Sequence, residues 1–316
     1  MTLMPSETEA LTVGIDIGGT KTHLRAQRQT QIRDRILPSH EWRVRDWDVN
    51  AVRLLELTAE LVDRSPVAAI AIGAHGCDDA DECLAFERAF AARTSVPVRV
   101  VNDAELMPLA LDLTGQIGIV AGTGSIAVCR TAAGEMLVAG GWGWIIGDEG
   151  SAASLVREAV RVIADHFDAG GSRHEPLIDL IFDALQVPAV PRLGSSLSAL
   201  QTAAEIGRHA EVVFEAANRG SDLALRVIRD GGKTLAHLVD LLDRRGAGAQ
   251  HAVAGGSVIV SQPLLWQAFA EGLAQTSGGR ITPHLFTGKP VEGACRLAAS
   301  LAQTEGQRGI AAPLHL

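Results

Sequence analysis

The chain of 316 residues contains no tyrosine, and aromatic residues make up only 4% of it. Ring stacking against a ligand therefore depends on tryptophan, phenylalanine or histidine. Basic residues are also few relative to acidic ones, with 28 Lys and Arg against 37 Asp and Glu, and the net charge is −9. Such a surface repels phosphate backbones and anionic lipids. The composition therefore argues against a nucleic-acid-binding or membrane-binding protein.

Long apolar runs and a signal-like leader are absent as well. No stretch of 18 apolar residues occurs, and residues 1–10 are polar and acidic. These absences predict a cytoplasmic protein that contacts no membrane, with a disordered N-terminus at 1–10 and a loose tail at 304–316. Because the chain is 47% hydrophobic, it has enough apolar side chains for two domain cores.

Only four cysteines occur, too few in a chain of this length for a disulfide framework. Cys77 and Cys83 lie near His75 and a run of acidic residues, so a metal site is one interpretation. The two thiols lack the Cys-x-x-Cys spacing of zinc sites, which favours a loop between a strand and a helix. Cys129 and Cys295 fit core positions of a strand and a helix.

Glycine, by contrast, is abundant, with 33 residues. The densest segment is GGWGWIIGDEG at 140–150, which combines five glycines, two indoles and two adjacent carboxylates. Glycine at this density lets the backbone turn tightly or lets a ligand approach it. Indole faces and carboxylate acceptors suit a polyhydroxylated ligand such as a sugar. A glycine-rich hairpin that leads into a helix at 150–151 is the alternative interpretation.

Two more glycine turns each join a pair of predicted strands. GIDIGGTKT at 14–22 presents backbone N–H groups and hydroxyls to an anion, and Asp16 beside the turn suits a hydrated magnesium ion. The segment is neither a Walker loop nor a Rossmann fingerprint, because a strand follows the turn. An ordinary hairpin is the alternative. AGTGSIAV at 121–128 repeats the pattern, which predicts an internal duplication with one phosphate turn in each half.

In two other segments, a predicted strand ends at polar or small residues. VVNDAE at 100–105 places Asp103 where a helix begins. Asp103 is there either a helix N-cap or a carboxylate base at the edge of a sheet where ligands gather. HAVAGGSV at 251–258 predicts a strand, a glycine pair and a helix, an arrangement that can receive the adenosine of a nucleotide. Apolar periodicity predicts helices over 50–62 and 291–302 among others.

In this order, the segments resemble the superfamily of sugar kinases, heat-shock ATPases and actin. Within it the chain resembles the BadF/BadG/BcrA/BcrD ATPase family, specifically the N-acetylglucosamine kinase branch, over about residues 11–303. The resemblance implies an α/β, two-domain, actin-like ATPase fold, made of duplicated ribonuclease H-like domains with an interdomain cleft. The N-terminal domain would comprise 11–113 and a returning helix at 289–303, and the C-terminal domain would comprise 114–288.

The resemblance also implies an ATP-dependent amino-sugar kinase that acts as a homodimer. N-acetylglucosamine would be the substrate, and the product its 6-phosphate. Asp103 would be the general base, and Asp16 would hold Mg²⁺ through water. The residues implied for ATP are Gly18, Gly19, Thr20, Lys21, Gly122, Thr123, Gly124, Gly255, Gly256 and Ser257. Those implied for the sugar are His40, Asp103, Ser125, Gly141, Trp142, Gly143 and Asp148.

Two departures from the family pattern leave the sugar's 2-substituent open. Ile126 stands where kinases of this branch often carry asparagine, and the loop that often supplies a second asparagine reads PSHEW at 38–42. Glu41 in that loop could favour a free amine, which makes glucosamine kinase the alternative.

Two other classes fit the sequence less well. An iron–sulfur ATPase activator of a dehydratase needs cysteines in glycine-flanked loops, and none of the four lies in one. A non-catalytic sugar sensor would have lost the base or a phosphate turn. The residues that such a sensor would lack are all present: Asp16, Thr20, Asp103 and Thr123.

Overall fold

The computed structural model describes residues 11–307 and divides into two compact units. The first unit comprises the chain up to Thr114 together with the segment that starts at Gly288. The second unit comprises Gly115–Thr287. Each unit contains one five-stranded sheet. The expectations of disorder at 1–10 and of a loose tail at 308–316 lie outside the described residues.

The sheet of the first unit begins with three antiparallel strands and continues with two parallel ones. Its strands are β1 (Thr12–Ile17), β2 (Lys21–Arg28), β3 (Gln31–Pro38), β4 (Ala69–Ala74) and β5 (Val98–Val101). The order across the sheet is β3-β2-β1-β4-β5, and β4 and β5 run parallel to β1. β1 and β4 are buried along their whole length, as expected of central strands with both faces covered.

Four helices pack on this sheet. They are α1 (Trp47–Leu61), α2 (Ala80–Ala91), α3 (Leu106–Ala110) and the C-terminal helix (Val291–Gln307). Asp46 caps α1 by accepting from the backbone N–H of Val49, so α1 begins three residues before the predicted position 50. The C-terminal helix packs against β1 and α3.

The C-terminal helix is longer than the sequence predicted. It continues through Gln307, whereas the prediction ended it at 302 and made the chain loose from 304. No proline occurs between 303 and 307. The first three turns of the helix are anchored by buried Val291, Ala294 and Ala298. Tertiary anchoring of one apolar face stabilises a helix beyond its own propensity, so the polar last turns stay helical.

The second unit repeats the sheet topology of the first. Its strands are β6 (Ile117–Ala121), β7 (Ser125–Arg130), β8 (Met136–Gly140), β9 (His251–Gly255) and β10 (Thr282–Leu285). The order read from the other edge is β8-β7-β6-β9-β10, with an antiparallel hairpin series and then two strands parallel to β6. The same order in both units confirms the predicted duplicated α/β fold.

The helices of the second unit enclose the larger apolar core. They are α4 (Ala152–Asp168), α5 (Pro176–Ala184), α6 (Leu193–Ser198), α7 (Ala203–Gly207), α8 (Glu211–Asn218), α9 (Asp222–Arg244), α10 (Ser257–Ser261) and α11 (Pro263–Ser277). Ser151 caps α4 and Ser221 caps α9 through their side-chain oxygens. Within residues 11–307, none of the helices has the length and apolar character that a membrane span requires.

Candidate active site

The turn between β1 and β2 has an exposed tip, and hydrogen bonds hold its ends in place. This first glycine turn, residues 18–20, is closed by a hydrogen bond from the Gly18 N–H to the Lys21 carbonyl at 3.0 Å. Ser39 holds it from outside: its N–H donates to the Thr20 carbonyl at 2.9 Å, and its hydroxyl donates to the Gly18 carbonyl at 2.8 Å. Gly19 and Thr20 remain exposed. A rigid turn with an exposed tip suits anion binding.

A buried polar chain extends this support. The Thr22 and Ser39 hydroxyl oxygens lie 2.9 Å apart, and the Trp42 indole N–H donates to the Thr22 hydroxyl at 3.1 Å. The loop at 38–42 therefore positions the first glycine turn, a role that the sequence analysis did not assign to Ser39 or Trp42. His40, predicted to bind the sugar, is exposed beside them.

Asp16 is the last residue but one of β1 and is only 8% exposed. Burial, together with the nearby Asp103 carboxylate, raises the pKa of Asp16 to about 7, although the Lys21 charge opposes this rise. Among the salt bridges of residues 11–307, none involves Asp16. A buried carboxylate that lacks a cationic partner and is repelled by a second carboxylate fits a site for a divalent cation.

Asp103 is not the helix N-cap, so that alternative interpretation is wrong. Asn102 caps the short 3₁₀ helix Asp103–Glu105, because its side-chain oxygen accepts from the Ala104 N–H at 2.9 Å. Glu105 completes a capping box by accepting from the Asn102 N–H at 3.1 Å. β5 ends at Val101, which places Asn102, rather than Asp103, at the boundary.

The Asp103 carboxylate is thereby available for chemistry. Its side chain is 14% exposed, and one oxygen lies 4.0 Å from Nδ1 of His75. Burial raises the pKa of Asp103, and the Asp78 carboxylate adds to the rise, whereas His75 opposes it. His75 was considered in the sequence only as part of a metal site, and the structure places it beside the candidate base.

A pocket of about 630 Å³ adjoins the first glycine turn in the first unit. Its titratable lining consists of two arginines, two histidines and two carboxylates, namely His40, Arg43, Arg45, Asp46, His75 and Glu82. Both carboxylates accept backbone hydrogen bonds, Asp46 from Val49 and Glu82 from Asp78. The Arg43 guanidinium donates to the His75 carbonyl at 2.6 Å. We call this the basic pocket because four of these six residues are basic, although the charges of the two arginines are balanced by the two carboxylates.

In the second unit, the turn between β6 and β7 has the same form as the first. This second glycine turn, residues 122–124, is closed by a hydrogen bond from the Gly122 N–H to the Gly124 carbonyl at 2.9 Å. The Ala152 N–H at the start of α4 donates to the Gly122 carbonyl at 2.8 Å. Thr123 at the tip is exposed. The turn is therefore fixed to the helix that follows the glycine-rich segment.

Ser125 and Asp148, both predicted to bind the sugar, are buried in the structure. The Ser125 hydroxyl donates to the Glu149 carbonyl at 2.8 Å. The Asp148 carboxylate accepts the backbone N–H groups of Ser125 and Gly143, and burial raises the pKa of Asp148 against the effect of these bonds. A Cβ atom at Gly124 would lie 2.9 Å from the Asp148 carboxylate, so a side chain there would have to displace that carboxylate. Both side chains join the two glycine-rich segments.

The Gly-Trp-Gly loop, residues 141–149, connects β8 to the start of α4. The Gly141 N–H donates to the Ser125 carbonyl at 2.9 Å, which attaches the loop to β7. Trp142 is 74% exposed, and Ile145 and Ile146 are exposed to a similar degree. The predicted stacking residue Trp142 thus has a free ring face in this structure.

The third predicted nucleotide segment follows β9. Gly255 ends that strand, and Gly256 adopts φ 105° and ψ 159° before α10 begins at Ser257. A Cβ atom at Gly122 would lie 3.5 Å from the Ser257 hydroxyl, so this segment lies beside the second glycine turn.

The sequence match decides the family. Residues 13–298 match the BadF/BadG/BcrA/BcrD ATPase family. The chain belongs to this family. The match confirms the resemblance predicted from the motifs and covers most of the chain.

The chain is also similar to a curated kinase and, in fold, to solved structures. This ATPase-family chain is 28% identical over 251 residues to the N-acetylmuramic acid/N-acetylglucosamine kinase of Clostridium acetobutylicum, a match that covers 71% of the chain and 76% of that kinase. A Chromobacterium violaceum protein, provisionally named an N-acetylglucosamine kinase, shares the fold with a TM-score of 0.61 and 21% identity, over 93% of this chain and 99% of its own. A ROK family glucokinase of Streptomyces griseus, solved with glucose and AMPPNP, has a TM-score of 0.57 and 20% identity, over 92% and 99%.

Within each unit of the ATPase-family chain, several of the predicted site residues lie close to one another. In the first unit, a Cβ atom at Gly19 would lie 3.6 Å from the His75 ring, which is itself beside Asp103 and lines the basic pocket with His40. In the second unit, the two glycine-rich segments and the segment at Ser257 adjoin one another through the contacts described above.

The cysteines stay outside these clusters. All four are buried: Cys77, Cys83, Cys129 and Cys295. Between residues 11 and 307, no group of three or more His, Cys, Asp or Glu side chains is arranged to hold a metal ion. The sequence prediction that Cys129 and Cys295 occupy core positions is confirmed.

Gly256 provides a test of the nucleotide segment. We expect Gly256→Ala to lower the free energy of unfolding by about 3 kcal/mol or more, since it combines backbone strain with overpacking. Its φ and ψ are almost unique to glycine, and the new Cβ would lie 2.6 Å from the Ala121 carbonyl. Gly246→Ala is the control, because Gly246 also has a positive φ of 90° but no atom near a new Cβ. Urea denaturation of both variants measures the difference, and equal losses would contradict the contact with β6.

Proposed function

We propose that this protein is an ATP-dependent amino-sugar kinase that transfers phosphate to the 6-hydroxyl of N-acetylglucosamine. The observation that carries the proposal is the environment of Asp103. Asn102 takes over helix capping, and the carboxylate, whose pKa is raised, lies 4.0 Å from His75, whose ring adjoins the first glycine turn. The curated Clostridium relative, a kinase of N-acetylmuramic acid and N-acetylglucosamine, supports the substrate class.

Asp103 acts as the general base of this reaction. Its ionised carboxylate accepts the proton of the sugar 6-hydroxyl as that oxygen attacks the γ-phosphorus, and the bond to the β-phosphate oxygen breaks to release ADP. A carboxylate with a raised pKa is a stronger base, because it holds the accepted proton more tightly. His75, 4.0 Å away, opposes part of the rise in the pKa of Asp103.

The two glycine turns bind the phosphates. Phosphoryl transfer depends mainly on positioning and charge neutralisation, and exposed turn tips with backbone N–H groups supply both. The tips are residues 18–20, followed by Lys21, in the first unit and residues 122–124 in the second. Residues 255–257 border the adenosine. Asp16 would hold Mg²⁺ through water, and that ion neutralises phosphate charge when bound.

The sugar is held mostly by backbone and by one indole. Gly141 and Gly143 present main-chain groups, and the exposed Trp142 ring offers a face for the sugar. Ser125 and Asp148 support the sugar-binding loop from the protein side, since their polar atoms already bond to backbone. His40 contributes from the basic pocket.

A homodimer remains our prediction, and light scattering can check it.

The similarity to the curated Clostridium kinase favours an acylated sugar over a free amine. In the basic pocket, Arg43 and Arg45 would repel the ammonium group of glucosamine, whereas Asp46 and Glu82 would attract it, so these charges do not select between the two sugars. N-acetylmuramic acid is a second candidate substrate, because the same relative is named a kinase of both acylated sugars. Glu41, which could have favoured an amine, is an exposed residue outside the pocket lining.

A phosphorylation screen tests the proposal. We expect N-acetylglucosamine, and to a lesser degree N-acetylmuramic acid, to stimulate Mg²⁺-dependent ADP release. Glucosamine should have a kcat/KM lower by about tenfold or more, which corresponds to about 1.4 kcal/mol of lost transition-state stabilisation. N-acetylmannosamine and glucose complete the panel, and 6-deoxy-N-acetylglucosamine is the control that lacks the acceptor hydroxyl. If no sugar stimulates ADP release, the proposed activity is wrong. If glucosamine is preferred, the assignment of an acylated sugar is wrong.

A further inference from the structure

The Gly-Trp-Gly loop has little side-chain packing to fix its shape. Trp142, Ile145 and Ile146 are each at least 70% exposed, and only Trp144 packs partly against the core. A segment with few buried apolar contacts opens easily unless polar contacts hold it. The loop closes on itself through the Gly147 N–H, which donates to the Gly143 carbonyl at 2.8 Å. Its shape therefore depends on hydrogen bonds to its backbone.

One side chain of α4 supplies such bonds from outside the loop. A single terminal nitrogen of the Arg157 guanidinium donates to the Trp144 carbonyl and, at 2.9 Å, to the Gly147 carbonyl. The other terminal nitrogen lies 3.9 Å from the Glu149 carboxylate, at the end of the same loop. Nε donates to Glu158 at 3.1 Å, which holds the guanidinium in place. The Arg157 side chain is only 18% exposed.

The same helix also contacts the second glycine turn. The Ala152 N–H donates to the Gly122 carbonyl, and Arg157 lies on α4 little more than one turn later. α4 is therefore a rigid element that contacts the phosphate turn at its first residue and the Gly-Trp-Gly loop through Arg157. Charge-assisted hydrogen bonds to carbonyls are stronger than neutral ones, so this contact constrains the loop more than a neutral side chain would.

We propose that Arg157 is a positioning residue for sugar binding, which holds the backbone of residues 141–143 in the conformation that receives the sugar. The proposal rests on the proposed sugar-kinase function and adds to it a residue outside the family motifs that the sequence analysis used. Arg157 itself need not touch the sugar, because it acts through the Trp144 and Gly147 carbonyls.

The test compares Arg157→Ala with Arg161→Ala. Arg161 lies one turn further along α4, pairs with Glu158 and Asp165, is 60% exposed and contacts no loop carbonyl. Both variants remove one positive charge and one bond to Glu158. We expect Arg157→Ala to raise KM for N-acetylglucosamine about tenfold or more, since two charge-assisted hydrogen bonds are lost. KM for ATP should stay within about twofold, and Arg161→Ala should match the wild type.

Hydrogen exchange without sugar gives a second, activity-independent readout. Arg157→Ala should accelerate exchange over residues 141–149 and leave β6 and β7 unchanged. Arg157→Lys keeps the charge near Glu149 and Glu158, but its one nitrogen cannot bond to both loop carbonyls and to Glu158 as the separate guanidinium nitrogens do, so KM and exchange should be intermediate. This variant also serves if Arg157→Ala does not fold.

The outcomes separate the two proposals. Wild-type KM for the sugar and wild-type loop exchange in Arg157→Ala would overturn the role of Arg157, as would equal changes in Arg161→Ala. If the wild-type enzyme phosphorylates no sugar, the proposed function fails, whereas faster loop exchange in Arg157→Ala would still show that Arg157 holds the loop.

Discussion

Replacing Asp103 by asparagine is expected to lower kcat by about 100-fold or more, the usual effect of removing a general base. The KM for ATP should change little, because the nucleotide contacts lie in the glycine turns. Asparagine keeps the size of the side chain, and Asn102 rather than Asp103 caps the 3₁₀ helix, so the melting temperature should not fall. It should rise at a pH above the raised pKa of Asp103, because asparagine avoids burying a charge. Steady-state kinetics and thermal denaturation of the purified variant measure both quantities.

Asp112→Asn is the matched control for this experiment. Asp112 lies in the same unit, its side chain is 84% exposed, and its positive φ of 62° is one that asparagine tolerates. The control should keep wild-type kcat and stability. An Asp103→Asn variant with wild-type kcat would exclude the base role. Because the base must be ionised, kcat/KM of the wild type should fall as the pH is lowered through the raised pKa of Asp103.

Much of the fold could be predicted because its signals are local. Apolar strands that flank glycine turns identify the hairpins at 14–22 and 121–128, and their recurrence predicts the duplicated sheet order. Side-chain caps such as Ser151 lie immediately before their helices, so the sequence shows where α4 begins. Each signal lies within a few residues of the structure it determines, and no tertiary contact is needed to interpret it.

The chemistry of Asp103 could not be decided in the same way. Asn102 and Asp103 are adjacent, and both residue types cap helices well, so the sequence does not choose between them. The choice depends on where β5 stops pairing with β4, and on the buried Asn102 amide, which donates to the Cys77 carbonyl at 3.0 Å. These are contacts between segments far apart in the chain.

The same limit applies to the glycine-rich segment. The motif suggests that Ser125 and Asp148 face the ligand, but their polar atoms bond to the backbone of other turns, which only the folded chain brings near. Arg157 looks in the sequence like one charge on an amphipathic helix. Its contact with the Trp144 and Gly147 carbonyls depends on how the loop folds back over α4.

Replacing Asp16 by asparagine is expected to stabilise the protein and abolish its Mg²⁺-dependent activity. In the wild type, the buried carboxylate stays neutral up to a pH of about 7, whereas in the unfolded chain it ionises near 3.8. The folded state therefore loses stability relative to the unfolded state as the pH rises between these two values. At pH 8, without Mg²⁺, the loss is at most about 4 kcal/mol, and an uncharged asparagine avoids it.

The pH dependence of the difference in stability between Asp16→Asn and the wild type shows whether the raised pKa of Asp16 is the cause. The gain of Asp16→Asn over the wild type should be near zero below a pH of about 4, grow up to a pH of about 7 and then level off. Urea denaturation in EDTA at several pH values measures it, with Asp112→Asn as the control that shows no such trend. Mg²⁺ with ADP, compared with ADP alone, should raise the melting temperature of the wild type more than that of Asp16→Asn, because only the carboxylate attracts the ion. A variant that is less stable than the wild type at pH 8, or one that keeps its Mg²⁺ response, would show that Asp16 is not a strained carboxylate held for the metal.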